Sequence, residues 1–347
     1  MARIFSGIQP SGALHIGNYL GAVKNWVELQ HKYESFFCIV DYHAITVPYE
    51  PADLRVRIAD MALSLLAAGL DPGKCTLFVQ SRVPEHTELA WIFNTLTPLG
   101  ELERQTQFKE KASREESVPA GLLNYPVLQA ADILLYRAEL VPVGEDQLQH
   151  LELSRDIARK WNARFDVRSP AASKSKSKKT DIKGPDEAEA GFFPEPKGLL
   201  TPTRRIMGLD GQSKMSKSLG NTVDLLEDPG SVWEKLRPAV TDPARVRRTD
   251  PGTPEICNIY HLQKAFSPPA TVEHVAVQCR TAGWGCIDCK KVLHESMEKE
   301  LAPIRARAKD LAGDPKKMQN DLAAGAEHAR SVARETMTEV KKKMGLA

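Results

Sequence analysis

A short apolar run at residues 4–8 leads directly into a glycine-rich segment that ends with His-Ile-Gly-Asn at residues 15–18. The run predicts a buried strand, and the pattern after it predicts a helix that begins near Gly17. Glycine lets the backbone approach a ligand closely, and the first turn of a helix presents unpaired N–H groups to an anion. This order limits the chain to folds that can hold an anion at the end of their first strand.

The alternation of strand and helix continues through the N-terminal half. Residues 36–40 and 76–80 are apolar runs of strand length, and residues 52–69 carry apolar side chains at helical spacing, with Gly69 as a stop. Strand, helix and strand in repetition predict an α/β fold with a doubly wound parallel sheet that is covered on both faces. Ligands bind such sheets at the carboxyl ends of the strands, where the first turn is expected.

The second half is predicted to be helical. Strand signals become rare after Asp224, the pairs Asp-Pro at 228–229 and 242–243 indicate helix starts, and residues 323–344 follow one amphipathic pattern. Residues 168–191 are first rich in lysine and serine and then acidic, which predicts an exposed insertion that buries little apolar surface. We expect domains at 1–222, 223–320 and 321–347, the last being a helix that packs back on the body.

Composition excludes some classes of protein. The 347 residues carry a formal net charge of +2, which does not suit a strongly basic nucleic-acid-binding protein. No apolar stretch approaches the roughly 18 residues of a membrane span, and the N-terminus runs directly into a strand, so neither a membrane protein nor a signal peptide is expected. Six cysteines without a secretion signal indicate reduced thiols or metal ligands, and the expected compartment is the cytosol.

A second phosphate-binding signal lies past the middle of the chain. Residues 214–218 are Lys-Met-Ser-Lys-Ser, and they follow the loop-forming sequence Gly-Leu-Asp-Gly at 208–211. Two lysines three residues apart suit a triphosphate, because they supply positive charge as pyrophosphate leaves. A K-x-x-K pattern alone is usually a solvated loop, but together with the first turn it indicates an enzyme that uses ATP.

The two signals together resemble the two signature sequences of class I aminoacyl-tRNA synthetases. The remaining chain resembles the bacterial tryptophanyl-tRNA synthetase family in five segments, at residues 5–12, 39–46, 100–104, 130–136 and 141–147. The resemblance covers nearly the whole chain apart from the insertion. It implies a Rossmann-like catalytic domain followed by an all-α anticodon-binding domain, in a homodimer.

The resemblance implies a reaction in two steps. The carboxylate of L-tryptophan attacks the α-phosphorus of ATP, which gives tryptophanyl-adenylate and pyrophosphate. The activated acyl group then passes to the 3′-terminal ribose of tRNA(Trp). No protein nucleophile is required, since catalysis consists of positioning and electrostatic stabilisation, with Mg²⁺ bridging the phosphates.

The resemblance also assigns roles to individual residues. The catalytic set comprises His15, Asn18, Lys214 and Lys217. The ATP site comprises Gln9, Pro10, Ser11, Gly17, Asn18, Gly144, Glu145, Asp146, Ile206, Lys214, Met215, Ser216, Lys217 and Ser218. Within it, residues 144–146 would bind the ribose, Ile206 and Met215 would flank the adenine, and His15 would donate to a phosphate.

Asp132 is the residue that we expect to select the amino acid. It lies in the otherwise apolar stretch 129–135, so its carboxylate needs a partner. The indole N–H of tryptophan only donates a hydrogen bond, and phenylalanine would leave a buried carboxylate unpaired. The rest of the implied tryptophan pocket comprises Phe5, Val40, His43, Tyr125, Gln129, Val141, Val143 and Gln147.

Gln129 departs from the bacterial pattern, which commonly has methionine at this position. A glutamine three residues before an aspartate is also similar to tyrosyl-tRNA synthetases, so a tyrosine-specific ligase is the alternative within the class. A non-catalytic tryptophan-sensing paralogue and a generic nucleotidyltransferase are the alternatives outside it. The two lysines at 214 and 217 argue against a sensor, and Asp132 with the helical second half argues against a generic transferase.

Four cysteines, Cys257, Cys279, Cys286 and Cys289, fall in one region with the spacing C-x21-C-x6-C-x2-C. Four thiolates can hold Zn²⁺ or an iron–sulfur cluster, and spacing does not separate the two. A subset of bacterial tryptophanyl-tRNA synthetases carries a [4Fe–4S] cluster with similar spacing in the tRNA-binding region. The resemblance therefore favours the cluster over zinc and over unliganded thiols, with a role in structure or tRNA recognition.

Overall fold

The structure, a computed structural model, describes residues 1–105, 108, 117–144, 148–166, 191–200 and 206–346. Residues 145–147 of the expected ribose turn lie outside the described residues, as does the predicted insertion at 168–191 apart from Gly191.

Five parallel strands form one sheet in the spatial order β3-β2-β1-β4-β5. The strands are β1 (Arg3–Ile8), β2 (Glu34–Ile39), β3 (Thr76–Val79), β4 (Leu140–Val143) and β5 (Lys197–Leu200). The order confirms the predicted doubly wound α/β fold. It also places the change of winding direction beside β1, and ligands bind such sheets at this point, outside the carboxyl ends of the strands.

Helices connect the strands and then continue alone. The first part contains α1 (Ile16–Asn18), a π-helical turn (Tyr19–Val23), α2 (Lys24–Leu29), α3 (Asp41–Ala44), α4 (Pro51–Ala68), α5 (Glu85–Asn94), α6 (Leu99–Glu103), α7 (Ala120–Leu135) and α8 (Leu148–Phe165). The second part contains α9 (Pro229–Leu236), α10 (Asn258–Phe266), α11 (Pro269–Arg280), α12 (Cys286–Ala312) and α13 (Pro315–Met344). No helix of the described ranges is long and apolar enough to cross a membrane.

The strands alternate their side chains between two apolar cores. In β2, Phe37 and Ile39 belong to the core that contains α4 and much of the helical second half. Phe36 and Cys38 belong to the opposite core, which α5, α7, α8 and α13 cover. Successive residues of a strand point to opposite faces, so a strand buried on both faces is apolar throughout, as the sequence of β2 is.

The helix starts in the second half were predicted with mixed success. Asp228 caps α9 by accepting from the N–H of Ser231 at 3.0 Å, which confirms the start at residues 228–229. The start predicted at 242–243 is wrong, since those residues form turns. The carboxylate of Asp242 instead accepts from the N–H groups of Ala244 (2.8 Å) and Thr253 (2.7 Å), so it closes a loop.

The last helix returns to the sheet. It begins at Pro315, earlier than the pattern at 323–344 indicates, because Asp314 caps it by accepting from Lys317 at 3.0 Å. Gly325 lies directly over β3, where an added Cβ would come within 2.0 Å of the Leu77 carbonyl oxygen. A side chain at this position would therefore separate the helix from the strand.

Candidate active site

The segment after β1 forms a tight turn that is pinned to a distant part of the chain. Gly12 has a φ of +121°, which side-chain-bearing residues rarely adopt. The N–H of Ile16 donates to the carbonyl of Val223 at 2.9 Å, and the N–H of Leu225 donates to the carbonyl of Leu14 at 2.7 Å. These two bonds fix the first turn against residues that follow the second signature.

His15 lies in this turn and is buried. The backbone N–H of Asn18 donates to Nδ1 of His15 at 3.2 Å, so the neutral ring carries its proton on Nε2. Burial, and then the charges of Lys217 and Lys214, lower the pKa of His15 to about 4. At neutral pH, His15 is therefore an uncharged donor beside two ammonium groups.

The second signature lies on a short hairpin, which we call the lysine loop (residues 206–221). Met207 and Lys214 form an antiparallel bridge, and the N–H of Gly208 donates to the carbonyl of Ser213 at 2.7 Å. The tip turns at Gly211, which has a φ of +65°. The hairpin therefore carries Lys214 at the end of a paired segment.

Asn221 closes the lysine loop from inside. Its Nδ2 donates to the carboxylate of Asp210 at 2.9 Å, and its Oδ1 accepts from the N–H of Ser216 at 2.8 Å. A Cβ on Gly208 would lie 2.1 Å from Nδ2 of Asn221, so the glycine makes room for this side chain. The loop therefore has an internal polar support.

The two signatures lie directly against each other. A Cβ on Gly12 would lie 2.6 Å from Nζ of Lys217, and a Cβ on Gly17 would lie 3.3 Å from Cβ of Met215. Burial is also the main cause that lowers the pKa of Lys217. The imidazole of His15 and the ammonium of Lys217 thus lie close together after the end of β1, where phosphates can accept from both.

Asp132 on α7 forms a second polar centre. Its side chain is buried, and its carboxylate accepts three hydrogen bonds: Gln80 Nε2 at 2.6 Å, His86 Nδ1 at 2.7 Å and His43 Nε2 at 2.8 Å. Burial alone would raise the pKa of Asp132, but the hydrogen bonds from His43 and His86 outweigh it and hold the pKa well below its usual range. Asp132 is therefore a fixed anion whose hydrogen-bond partners, among the described residues, are all donors.

An aromatic wall supports the Asp132 centre. The remaining ring nitrogen of His86 hydrogen-bonds to the hydroxyl of Tyr136 at 2.8 Å. Tyr136 is fully buried and stacks on Phe36 and Phe5, with ring centroids 4.6 and 5.6 Å apart. The His86 ring thus has a partner at each nitrogen, which fixes its orientation.

The structure brings most of the expected tryptophan-pocket residues together. His43 on α3 contacts Asp132, and four buried apolar residues share the core beside α7: Phe5 in β1, Val40 after β2, and Val141 and Val143 in β4. The rings of His43 and Tyr125 meet edge to face at 6.3 Å, and the Tyr125 hydroxyl hydrogen-bonds to His150 at 3.1 Å. Gln129 is half-buried, one helical turn before Asp132.

The expected ATP residues are described in part. Gln9, Pro10 and Ser11 follow β1, and Ile206, Met215 and Ser216 lie on the lysine loop. Gly144 follows β4, whereas Glu145, Asp146 and Gln147 lie outside the described residues, and the side chain of Ser218 does too. The ribose assignment therefore stays a prediction.

Sequence reasoning missed three members of the polar centre, namely Gln80, His86 and Tyr136. Gln80 directly follows β3, so the rule that ligands meet the carboxyl ends of strands could have indicated it. His86 and Tyr136 carry no such local signal. The fold alone brings α5 and the end of α7 to the same carboxylate.

Comparison with known proteins agrees with this geometry. The family model described as tRNA synthetases class I (W and Y) matches residues 1–302. The chain belongs to this family. The synthetase is 51% identical to the tryptophan–tRNA ligase of Deinococcus radiodurans over 350 residues, which cover 99% of each chain.

Further relatives also match over their whole length. The tryptophan–tRNA ligase of Ralstonia nicotianae is 42% identical and covers 99% of this synthetase and 98% of its own length. The crystal structure of tryptophanyl-tRNA synthetase from Campylobacter jejuni with ADP and tryptophan is 34% identical and has a TM-score of 0.83, with 99% and 100% of the two chains covered. The predicted enzyme class, an aminoacyl-tRNA synthetase, is confirmed.

The four clustered cysteines of the synthetase line one cavity in the helical second half. Asp242, Arg245 and Trp284 complete its wall. Burial raises the pKa of Cys257, of Cys279 and of Cys289, the last to about 12. No three His, Cys, Asp or Glu side chains in the described part of the chain are arranged to hold a single metal ion.

The side chain of Arg245 makes this cavity suitable for a negatively charged occupant. Arg245 reaches in with Nη1 3.8 Å from Sγ of Cys279, and its buried Nε has no hydrogen-bond partner among the described groups. A Cβ on Gly252 would lie 2.6 Å from the same sulfur, so the glycine leaves space for it. A buried guanidinium nitrogen without a partner is costly, and an anion beside it would remove that cost.

Proposed function

We propose that this chain joins L-tryptophan to tRNA(Trp) in the two steps of a tryptophan–tRNA ligase, through tryptophanyl-adenylate. The observation that carries the proposal is that one fold holds both a triphosphate site, formed by the two signatures, and a buried carboxylate surrounded by apolar and donor groups. The full-length relatives reported above are tryptophan–tRNA ligases, which supports the same substrates.

The first turn and the lysine loop bind the phosphates of ATP. Nε2–H of His15 donates to a phosphate oxygen, while Lys214 and Lys217 neutralise the charge that grows as pyrophosphate leaves. Because His15 stays neutral, it orients the triphosphate without a proton transfer. Mg²⁺, when bound to the phosphates of ATP, supplies further charge stabilisation.

Asp132 selects the amino acid through the indole N–H. Its Oδ1 already accepts from Gln80 and His86, whereas within the described ranges its Oδ2 accepts only from His43 and retains a lone pair for a further donor. Indole N–H can only donate, which matches an anion whose protein partners are donors. A phenol, which also accepts, gains less here, so the pocket favours tryptophan over the tyrosine alternative.

The cysteine cavity suits a [4Fe–4S] cluster. Cys257, Cys279, Cys286 and Cys289, which all line it, would be the ligands. Arg245 would compensate the net negative charge of a cluster with four thiolates. Purification without oxygen followed by metal analysis tests this: about four irons per chain support the cluster, and one zinc per chain overturns it.

The chain divides into a catalytic domain at 1–222, a tRNA-binding domain at 223–320 with the cysteine cavity, and a return helix at 321–347. Two such chains form a homodimer through exposed apolar side chains on α5, on α6 and before α7. Trp91, Leu99 and Val118 are 72%, 60% and 40% exposed, and exposed large apolar side chains are typical of protein interfaces.

Charging of total tRNA tests the function directly. The chain is incubated with ATP, Mg²⁺ and labelled tryptophan or labelled tyrosine, and acid-stable aminoacyl-tRNA is counted. We expect label from tryptophan alone, in an amount equal to the tRNA(Trp) present. Charging with tyrosine, or adenylate formation without any transfer, would contradict the proposal.

A further inference from the structure

The base of the lysine loop is held from outside by the helical second half. Nδ2 of Asn258 donates to the carbonyl of Gly208 at 2.7 Å. The Asn258 side chain is buried, and an added Cβ on Gly211 would lie 3.5 Å from Cβ of Asn258. Asn258 is the first residue of α10 and directly follows Cys257, which lines the cysteine cavity.

A second support reaches the same turn by a different route. Lys290 is buried, and its Nζ donates to the carbonyls of Arg237 and Ala239, each at 2.7 Å. The next residue, Val240, donates its N–H to the carbonyl of Leu209 at 3.0 Å. Lys290 directly follows Cys289, another residue of the cavity wall.

The two supports share one arrangement. Each is a buried polar side chain that comes one residue after a cavity cysteine. Asn258 bonds directly to Gly208, whereas Lys290 acts on the next residue, Leu209, through Val240. Buried polar groups bond within narrow limits of distance and angle, and an unpaired one is costly. A shift of Cys257 or Cys289 therefore cannot leave the base of the lysine loop unchanged.

We propose that Asn258 and Lys290 are positioning residues, through which the positions of the cavity cysteines determine the position of the lysine loop. The cavity then supports amino-acid activation as well as tRNA contact. The inference rests on the proposed role of Lys214 and Lys217 in binding ATP. The sequence alone connects these cysteines with tRNA only, and the connection to the loop is visible only in the fold.

Asn258→Leu tests the first support, because leucine has a similar size and cannot donate. Asn162→Leu is the matched control, since Asn162 lies on α8 and donates to the carbonyl of Phe193 at the same 2.7 Å. Hydrogen–deuterium exchange of a peptide covering residues 206–222 reports loop order without any substrate. Pyrophosphate exchange reports activation, and filter binding reports tRNA affinity.

Asn258→Leu should speed deuterium exchange in this peptide roughly 10-fold, the change expected for one lost buried hydrogen bond. The kcat of pyrophosphate exchange should fall by a similar factor, while tRNA affinity and melting temperature stay close to those of the control. Lys290→Met should act in the same direction, and Cys257→Ser in the enzyme as purified should also speed exchange in the loop. Combining Cys257→Ser with Asn258→Leu should add little, because both break one path.

Unchanged deuterium exchange of the loop in Asn258→Leu and in Cys257→Ser would overturn the proposal. The proposal would also be overturned if adding Cys257→Ser to Asn258→Leu sped deuterium exchange of the loop by the full factor that Cys257→Ser gives alone. The exchange measurement needs no catalysis, so an enzyme that fails to activate tryptophan would refute the proposed function and leave this test standing.

Discussion

Replacing Asp132 by asparagine should separate amino-acid recognition from ATP binding. The substitution keeps size and shape but exchanges a carboxylate that accepts from Gln80, His86 and His43 for a group with one acceptor and one donor. The amide oxygen can replace Oδ1. The NH₂ group then replaces Oδ2, the atom that is expected to accept from the indole N–H. Two donors then face each other.

The loss follows from one hydrogen bond to a charged acceptor, which contributes about 1.5–3 kcal/mol. We therefore expect kcat/KM for tryptophan in pyrophosphate exchange to fall about 10- to 150-fold, at the rate of tenfold per 1.4 kcal/mol. The KM for ATP should change less than about threefold, because Asp132 does not reach the phosphate site. Asp41→Asn is the control, since Asp41 is a buried aspartate that accepts from the N–H of Ser81 and is not among the described hydrogen-bond partners of Asp132.

The lowered pKa of Asp132 provides an independent readout of the same anion. A carboxyl whose pKa is lower in the folded chain stabilises the fold above its unfolded pKa of about 3.9, and that contribution disappears as pH falls below it. In urea unfolding, Asp132→Asn should therefore lose less of its free energy of unfolding than the parent enzyme as the pH falls from about 4 to about 3. A variant that keeps kcat/KM for tryptophan within threefold of the parent would refute the role of this carboxylate.

Three further predictions follow from the same geometry. Gly12→Ala places a Cβ where Lys217 lies and strains a φ of +121°, so pyrophosphate exchange should show a KM for ATP raised about tenfold or more, whereas Gly21→Ala, with nothing within 4 Å of the added Cβ, should not. Because the pKa of His15 is lowered to about 4, the free energy of unfolding should fall as pH drops from about 6.5 towards 4. In urea unfolding at several pH values, His15→Asn should show a smaller fall over this range. An equal fall in the variant and the parent would contradict the neutral histidine. Trp91→Glu should convert the proposed dimer to a monomer in light scattering, whereas Leu346→Glu at a similarly exposed apolar position should not, and a parent chain that is already monomeric would contradict the proposed dimer.

The sequence predicts those parts of the site that depend on local patterns. The strand, glycine turn and helix around residues 4–18 are determined by neighbouring residues, and the structure confirms them. The lysine signature could be placed on a loop because Gly208 and Gly211 surround a turn. Asp132 stood out because a single acid in an apolar stretch needs a partner.

The parts that sequence could not predict depend on contacts between distant segments. His86 and Tyr136 act on Asp132 only because α5 and α7 pack in one core. Asn258 and Lys290 look like ordinary polar helix residues until the fold buries them beside Gly208 and Leu209. Asp242 followed by proline has the composition of a helix start, but its carboxylate is already occupied in closing the loop to Thr253.

The most direct test of the whole account is the ratio of kcat/KM for tryptophan to that for tyrosine in ATP–pyrophosphate exchange. A buried carboxylate with room for one further donor, in a fold that also holds the two phosphate-binding signatures, predicts a ratio of at least about 10 in favour of tryptophan, a difference of about 1.4 kcal/mol. A ratio near one, or one that favours tyrosine, would contradict the assignment of Asp132 and with it the proposed substrate.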